Sequence, residues 1–202
     1  MSKGRGKPTA FLLASLLVAC EPDADSIRVR MTTSLGDIDI ALYQDQAPIT
    51  VGNFLRLVDG AHLNGASFYR TVNPDNDNGS PVISVIQGGL GDVPSPLPPI
   101  AHETTETTGL LHLDGSLSMA RADVGTASSE FFICIGAQPA LDYGGARNPD
   151  GQGFAVFGRV VEGFDVVRAI HEAPADGPTE FDYFKGQLLK PPVAIRAVKR
   201  VR

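Results

Sequence analysis

The sequence predicts a mainly β fold, a closed eight-stranded antiparallel β-barrel capped by two α-helices. The first observation is a period-two alternation of apolar and polar residues at 27–42, which is typical of half-buried strands. The second is the set of elements along the chain, seven or eight short strand segments and only two helical ones. Because the strands do not alternate with helices, a parallel doubly wound sheet is disfavoured. Closure removes exposed sheet edges, and this favours a barrel.

The amino terminus is predicted to lie outside this domain. Basic residues precede an apolar run at 10–19, which is shorter than the roughly 20 residues that span a bilayer. We therefore interpret residues 1–19 as a signal peptide. The run ends at Cys20, which polar residues follow, and this arrangement resembles the lipobox of bacterial lipoproteins. We expect an exported protein on the periplasmic side of the envelope, anchored to a membrane by a lipid on Cys20 through a tether at 20–26. The alternative is an ordinary secretory signal with an incidental cysteine.

The domain, predicted at 27–202, begins with a β-hairpin and a helix. Residues 27–32 and 37–42 alternate in polarity on either side of a short glycine-containing link, as paired antiparallel strands do. From Pro48 the period changes, and apolar residues recur at the spacing of one helix face until Gly60. Proline suits the first helical turn and glycine the position just after the last one.

The rest of the domain is predicted to contain one more helix and six more strands. The helix lies at 164–171, where apolar residues again recur at helical spacing. The strand segments are 67–70, 82–87, 116–120, 130–135, 154–161 and 193–201. A long connection at 88–109 contains a proline-rich patch, and it is either a functional loop or locally disordered.

Composition and spacing exclude several classes of site. The net charge of -6 argues against a nucleic-acid partner, and the basic residues near the carboxyl terminus alternate with apolar ones as in a terminal strand. None of the four histidines shares a metal-ligand spacing with a second ligand. No serine stands in the frame of a nucleophile elbow. We expect neither a metal, nor a cofactor, nor a hydrolase triad.

Four separated segments match one known pattern in order and spacing. They are SFYR at 67–70, VIQGG at 85–89, SMARADVGTASSEFFICIG at 118–136 and FAVFGRVVEG at 154–163. Together with the hairpin and the first helix, they resemble the cyclophilin-type peptidyl-prolyl cis–trans isomerases over nearly the whole domain. The resemblance implies an eight-stranded barrel with two capping helices. It also implies isomerisation of X–Pro bonds in proline-containing polypeptides.

Such a reaction demands strict geometry but no nucleophile, metal or cofactor. The barrier is about 18–20 kcal/mol, because amide resonance is lost when the bond twists. The twisted amide has a pyramidal nitrogen with a free lone pair, which a guanidinium aimed at it stabilises more than it stabilises the planar ground state. The resemblance gives this catalytic role to Arg70. It implies that Gln87 binds the substrate backbone and helps to orient that arginine.

The resemblance also implies where the substrate lies. Phe132 matches the floor of the proline pocket, Val85 a wall and Leu141 a residue of the rim. Ala120 and Arg121 match the strand edge whose backbone pairs with the substrate.

Several positions in the implied site depart from the family pattern. Glu130 stands where many members have glutamine, and because an ionised glutamate only accepts hydrogen bonds, one donor to the peptide is lost. Arg121 stands in place of a common asparagine and could pair with Glu130. Phe154 replaces a histidine, which keeps the ring without its polar atoms, and Ala140 stands where some members have tryptophan.

The loop that follows Arg70 is longer than is usual in the family. Ser84 consequently falls where a phenylalanine of the pocket is expected, and Ile83 could fill that space.

We therefore expect a monomeric, lipid-anchored prolyl isomerase that acts on unfolded or flexible envelope proteins. The alternative is a non-catalytic proline-peptide-binding module or holdase. Glu130, Ser84 and the longer loop favour that alternative, whereas the retained Arg70 and Gln87 argue against it. A third interpretation, an inert structural barrel, predicts no peptide binding.

Overall fold

The computed structural model describes residues 26–201. The predicted signal peptide at 1–19, the predicted lipid site Cys20 and the tether as far as residue 25 lie outside the described residues. Between residues 26 and 201, no helix has the length and apolarity needed to cross a membrane.

Eight strands form a closed barrel, and every neighbouring pair is antiparallel. Around the barrel the order is β1-β2-β7-β5-β6-β4-β3-β8. The strands are β1 (Ile27–Thr33), β2 (Asp37–Leu42), β3 (Ser67–Val72), β4 (Val85–Gly89), β5 (Ser116–Met119), β6 (Phe131–Cys134), β7 (Ala155–Glu162) and β8 (Leu188–Val201). The predicted fold class is confirmed.

Two helices lie at opposite ends of the barrel. Helix α1 (Pro48–Asp59) follows β2, and α3 (Phe164–His171) follows β7. Because β2 and β7 are antiparallel neighbours, the helices that follow them lie at opposite ends. A third helix, α2 (Thr105–Thr108), is a single turn that was not predicted, since four residues carry no readable periodicity. Two short 3-10 turns, Pro139–Leu141 and Asp182–Phe184, complete the elements of the described chain.

The long connection after β4 is ordered by its contact with α1. No acidic residue lies in the first turn of α1, and its N-cap position is Ala47, whose side chain cannot accept a hydrogen bond. The buried carboxylate of Glu103 instead accepts hydrogen bonds from the backbone nitrogens of Ile49 (3.1 Å) and Thr50 (2.7 Å). A carboxylate at a helix N-terminus pairs the free N–H groups and opposes the positive end of the helix dipole.

The strand β4 begins at Val85, three residues later than predicted. The reason is that the preceding backbone N–H groups bind side chains. Ile83 donates to Oδ2 of Asp77 (2.9 Å), and Ser84 donates to Oε1 of Gln138 (3.1 Å). These N–H groups are therefore not available to a strand ladder.

The strand β8 begins at Leu188, five residues earlier than predicted, and contains Pro191 and Pro192. Proline cannot donate a hydrogen bond to a ladder, which argued against a strand there. The register shifts at this point, so that Leu188 pairs with Arg70 and the next ladder pair joins Val193 and Phe68. The prolines lie in the shifted part, where no ladder partner requires an N–H group.

Aromatic side chains fill the interior of the barrel and join it to α1. Phe54 of α1 is fully buried, and its ring centre lies 5.8 Å from that of Phe131 and 5.1 Å from that of Phe157. Phe131 also contacts Phe68 edge to face, with ring centres 5.7 Å apart. These side chains belong to one apolar cluster that includes both long helices, which we call the barrel core.

The substitution Phe54→Ala should remove the side chain that joins α1 to the barrel core. Because the ring is fully buried, we expect the free energy of unfolding to fall by about 3–5 kcal/mol. The measurement is urea unfolding followed by circular dichroism. The matched control is Phe181→Ala, since Phe181 is 68% exposed and its loss should cost about 0.5 kcal/mol or less. Equal losses in the two variants would contradict the packing described.

Candidate active site

A second, smaller apolar cluster lies on the outer face of the barrel wall. Side chains along β6 alternate between the two clusters, with Phe131 and Ile133 in the barrel core and Phe132 and Cys134 outside it. We call this second set the outer cluster; its buried members are Val72, Ile83, Val85, Phe132, Cys134 and Leu141. Ala120, Ala140 and Phe154 pack against it while partly exposed. The predicted floor, wall and rim of the proline pocket are therefore neighbours in the structure.

A β-bulge in β3 turns Arg70 toward the outer cluster. In the ladder with β4, Phe68 lies opposite Gly88 and Arg70 lies opposite Gln87, so Tyr69 is the extra residue. A bulge changes which face of the sheet the following side chains occupy. Phe68 consequently points into the barrel core, whereas Arg70 shares the outer face with Val72.

The guanidinium of Arg70 is buried and is held by two amide oxygens. Its Nη1 donates to Oε1 of Gln87 (2.9 Å), and its Nε and Nη2 donate to Oε1 of Gln187 (2.9 and 2.6 Å). The Arg70 residue is 8% exposed. Burial lowers the pKa of Arg70 from its usual value, although a guanidinium remains protonated at neutral pH. The ring centres of Tyr183 and Phe184 lie 5.2 and 4.9 Å from its Cζ atom.

Gln87 links Arg70 to a second group of polar residues. Its amide nitrogen donates to the hydroxyl of Tyr69 (2.9 Å), and that hydroxyl donates to Oε2 of Glu130 (2.7 Å). Burial, reinforced by the nearby Glu130 carboxylate, raises the pKa of Tyr69, so its proton is retained for this bond. Tyr69 and Gln187 were not predicted as site residues. Tyr69 stands inside the matched segment SFYR, but its role depends on the bulge, which the sequence pattern does not reveal.

Glu130 is held beneath the turn that follows β4. Its Oε1 accepts hydrogen bonds from the backbone nitrogens of Leu90 (2.8 Å) and Gly91 (3.2 Å). Gly89 has a φ of +148°, and a Cβ atom there would lie 2.5 Å from Oε2 of Glu130. Glycine is therefore required at this position both for the backbone and to make room for the carboxylate.

The suggested pairing of Arg121 with Glu130 is wrong. Arg121 forms a bidentate pair with Asp150, at 2.7 and 2.9 Å, and its Nε donates to the carbonyl of Gly153 (2.9 Å). The Arg121 guanidinium lowers the pKa of Asp150 to about 2. Its Cζ also lies 5.3 Å from the centre of the Phe154 ring. The Glu130 carboxylate instead accepts hydrogen bonds from two backbone N–H groups and from the hydroxyl of Tyr69.

Ile83 occupies the apolar space that Ser84 cannot fill. Ile83 is buried in the outer cluster, whereas the hydroxyl of Ser84 hydrogen-bonds Nε2 of His171 (3.0 Å). The loop at 73–83 thus places an apolar side chain in the outer cluster, next to the serine.

The loop at 73–83 is tied to the rest of the site by a buried ion pair. Nη1 and Nη2 of Arg147 donate to the two carboxylate oxygens of Asp77, at 2.7 and 2.8 Å, and both side chains are almost fully buried. Arg147 also donates to the hydroxyl of Tyr183 (2.8 Å) and to the carbonyl of Pro81 (2.8 Å). These contacts hold the loop against the aromatic residues that cover Arg70.

Comparison with known proteins identifies the family. The family model "Cyclophilin type peptidyl-prolyl cis-trans isomerase/CLD" matches residues 28–199. The chain belongs to this family. This cyclophilin-type isomerase is 35% identical over 173 residues to a peptidyl-prolyl cis-trans isomerase of Acinetobacter baylyi, covering 83% of this chain and 84% of that protein. It is 30% identical over 181 residues to peptidyl-prolyl cis-trans isomerase A of Dickeya dadantii, with 88% and 86% covered.

Solved structures agree on the fold of this cyclophilin-type isomerase. A cyclophilin type peptidyl-prolyl cis-trans isomerase of Cryptosporidium parvum superimposes with a TM-score of 0.68 at 21% identity, covering 88% of this chain and 98% of that one. A second structure with that name, determined in the presence of the dipeptide Ala-Pro, gives a TM-score of 0.67 at 22% identity, covering 87% and 99%.

The cyclophilin fold also brings a serine, a histidine and an aspartate together beneath the outer cluster. His112 Nδ1 lies 2.7 Å from Oδ1 of Asp142, and its Nε2 lies 3.0 Å from Oγ of Ser118. A carboxylate only accepts, so Nδ1 carries the proton and Nε2 accepts from the serine hydroxyl. Ser118 and His112 are 0% and 1% exposed, so no substrate reaches them. The His112 ring instead lies parallel to that of Phe132, 5.8 Å between centres, and supports the predicted floor of the proline pocket.

The buried His112 should make this isomerase less stable in mild acid. Burial, only partly opposed by Asp142, lowers the pKa of His112, so the folded state keeps it neutral below about pH 6.5, where the unfolded chain binds a proton. The free energy of unfolding should therefore fall as the pH is lowered through that range, by at most about 1.4 kcal/mol per pH unit from this group.

The measurement is urea unfolding at several pH values for the wild type and for His112→Gln. The variant should lose this component of the pH dependence, because glutamine does not titrate. The control is His62→Gln, a change at an exposed histidine. A wild-type profile that His112→Gln leaves unaltered would show that His112 is not the group responsible.

Proposed function

We propose that this cyclophilin-type isomerase accelerates rotation about X–Pro bonds in unfolded or flexible polypeptides, without a covalent intermediate and as a monomer. The observation that carries the proposal is the position of Arg70, a buried guanidinium fixed beside the apolar outer cluster. The proline ring would occupy the partly exposed side of that cluster, against Phe132, Val85 and Leu141. The Ala-Pro dipeptide named for the Cryptosporidium structure supports a ligand of this class.

Arg70 would act through its charge and its unused donors. As the amide twists, its nitrogen becomes pyramidal and gains a lone pair that the planar ground state lacks. A positive N–H donor aimed at that nitrogen stabilises the twisted state selectively, and preorganisation means that no reorganisation is needed at that moment. Both protein acceptors of Arg70, Gln87 and Gln187, are neutral amides, so its charge is left available to the substrate.

The remaining site residues would hold the substrate backbone. Gln87 uses one N–H on Tyr69 and its oxygen on Arg70, which leaves one N–H for a peptide carbonyl. Ala120 already donates its N–H to the carbonyl of Glu130 (2.9 Å), so a peptide along this edge would pair with other backbone groups of Ala120 and Arg121. Glu130 would act indirectly, by fixing Tyr69 and the turn at Leu90.

The decisive experiment compares the wild type with Arg70→Ala in a cis–trans isomerisation assay on a proline peptide. We expect the wild type to accelerate isomerisation and Arg70→Ala to lower kcat by about a hundredfold to a thousandfold, as for other donors to a transition state. Circular dichroism controls for folding, and peptide titration for binding. The enzyme mechanism fails if the wild type gives no acceleration, or if the variant retains all of it.

A second candidate function is a holdase that binds proline-containing segments without turnover. The observation that favours it is the cover over Arg70, whose guanidinium lies beneath the rings of Tyr183 and Phe184. A holdase would suppress aggregation of an unfolded protein in proportion to its own concentration, and Arg70→Ala would leave that effect unchanged. The isomerisation assay and the aggregation assay, each run on the wild type and on Arg70→Ala, therefore separate the two functions.

We also propose that the protein is exported and held at the periplasmic side of the envelope by a lipid on Cys20, where unfolded envelope proteins are its substrates. The support is the sequence at 1–20, where a positive start and an apolar run lead into the cysteine. Uncatalysed isomerisation takes about 10–100 s at 25 °C, slow enough to limit the folding of such proteins.

The anchor is tested by Cys20→Ser in the full chain. We expect the variant to leave the membrane fraction, because the acylated thiol is lost. The control is Cys134→Ser, which changes the buried cysteine of β6 and should leave partitioning unaltered. Retention of Cys20→Ser in the membrane fraction would rule out a lipid on this residue.

A further inference from the structure

We propose that Gln187 is a positioning residue for Arg70, and that the segment at 181–187 is part of the active site. The inference rests on the proposed function, in which Arg70 is catalytic. Gln187 lies outside every motif that carried the family resemblance and precedes β8 by one residue. Although Gln187 is 117 positions from Arg70 in the chain, the two side chains are in direct contact.

The contact between the two side chains is short and fully enclosed. Oε1 of Gln187 accepts from both Nε and Nη2 of Arg70, at 2.9 and 2.6 Å, and Gln187 is 0% exposed. Its amide nitrogen donates to the carbonyl of Asn76 (2.7 Å), which fixes the oxygen toward Arg70. Its backbone carbonyl accepts from the nitrogen of Thr71 (2.9 Å), and its own nitrogen donates to the carbonyl of Phe184 (3.0 Å). Both the side chain and the backbone of Gln187 are therefore anchored.

Gln187 and Gln87 together restrict the guanidinium from two edges. A guanidinium has five N–H donors, of which Gln187 takes two and Gln87 takes one, so that one on Nη1 and one on Nη2 are bound by neither glutamine. Tyr183 and Phe184 lie against it and limit its rotation out of plane. A free arginine side chain would lose rotamer entropy on being fixed. Ordering it in the folded protein avoids that loss during the reaction.

The absence of a charge on the Gln187 side chain is as important for the proposed role as its position. A carboxylate at this place would hold Arg70 at least as firmly, because charge-assisted hydrogen bonds are the stronger ones. It would also oppose the positive charge that stabilises the substrate nitrogen. An amide orients the guanidinium and leaves its charge unopposed.

The 73–83 loop holds the 181–187 segment in place. The side-chain amide of Asn76 donates to the carbonyl of Gly186 (2.8 Å), and that of Asn78 donates to the carbonyl of Lys185 (2.9 Å). Arg147, paired with Asp77 of the loop, binds the hydroxyl of Tyr183. The longer loop after Arg70 thus supports the residue that positions Arg70.

The test uses the full chain and two variants of Gln187. Gln187→Leu removes the acceptor, and we expect kcat to fall by about tenfold to a hundredfold, the range for one lost hydrogen bond to a charged group. The KM for the proline peptide should change by less than about twofold, because the outer cluster that binds the ring is intact. Gln187→Glu keeps the size and an acceptor oxygen but adds a charge and loses the N–H that binds Asn76, and kcat should fall here too, with KM again retained.

The matched control is Gln138→Leu. Gln138 is also a buried glutamine with two hydrogen bonds, to Ser84 and Ile135, and it does not contact Arg70. The Gln138→Leu variant should have a lower free energy of unfolding but should not show the selective loss of kcat. The side-chain Nε–H resonance of Arg70 gives a readout that does not depend on activity. It should be sharp and slow to exchange in the wild type and in Gln187→Glu, and broadened in Gln187→Leu.

A double-mutant cycle separates this inference from the proposed function. In the Arg70→Ala background, Gln187→Leu should cause no further loss of kcat, because its effect passes through Arg70. A wild type without activity, or an active Arg70→Ala, overturns the proposed function. A wild type that needs Arg70 while both Gln187 variants stay within about twofold of its kcat overturns only the positioning role. Additive losses in the cycle would do the same.

Discussion

One extra residue in β3 decides on which side of the barrel wall the arginine lies. Without the bulge at Tyr69, strict alternation would place Arg70 on the same face as Phe68, inside the barrel core. An unpaired guanidinium there would carry a large desolvation cost. With the bulge, Phe68 completes the aromatic packing around Phe131, and Arg70 reaches Gln87 on the outer face. The stability of the core and the chemistry of the site therefore depend on the same local geometry.

Arg70 donates its side-chain hydrogen bonds to neutral amides, so these partners do not neutralise its positive charge. The nearest link to a carboxylate passes through Gln87 and Tyr69 before it reaches Glu130, and both intervening groups are neutral. The Glu130 carboxylate accepts hydrogen bonds from the backbone N–H groups of Leu90 and Gly91. The network is thus continuous enough to fix the guanidinium, yet it holds the negative charge away from it. In a buried setting this separation matters, because electrostatic interactions are stronger there than in water.

The sequence was informative where periodicity or a local motif carried the structure, and uninformative where distant side chains met. Alternation and helical spacing predicted the barrel and both long helices, and the resemblance brought Arg70, Gln87 and Phe132 to one face. The partners of these residues could not be read in the same way. Gln187 lies in a segment without periodicity, and its value depends on a contact formed only when β3 and β8 are adjacent. The Arg121–Glu130 pair failed because the sequence does not show that Glu130 is occupied by backbone donors.

The two loops that flank Arg70 form one mutually dependent structure. The 73–83 loop places Ile83 in the outer cluster, and its Asn76 and Asn78 bind the 181–187 segment, whose Gln187 binds Arg70. Each loop pairs polar groups of the other, since the Gln187 amide donates to the carbonyl of Asn76 and the Asn76 amide donates to the carbonyl of Gly186. A change in the length of one loop would therefore leave polar groups of the other without hydrogen-bond partners. The 73–83 loop is thus the structural basis for an arginine held by a distant glutamine, and Ile83 supplies the apolar side chain that Ser84 lacks.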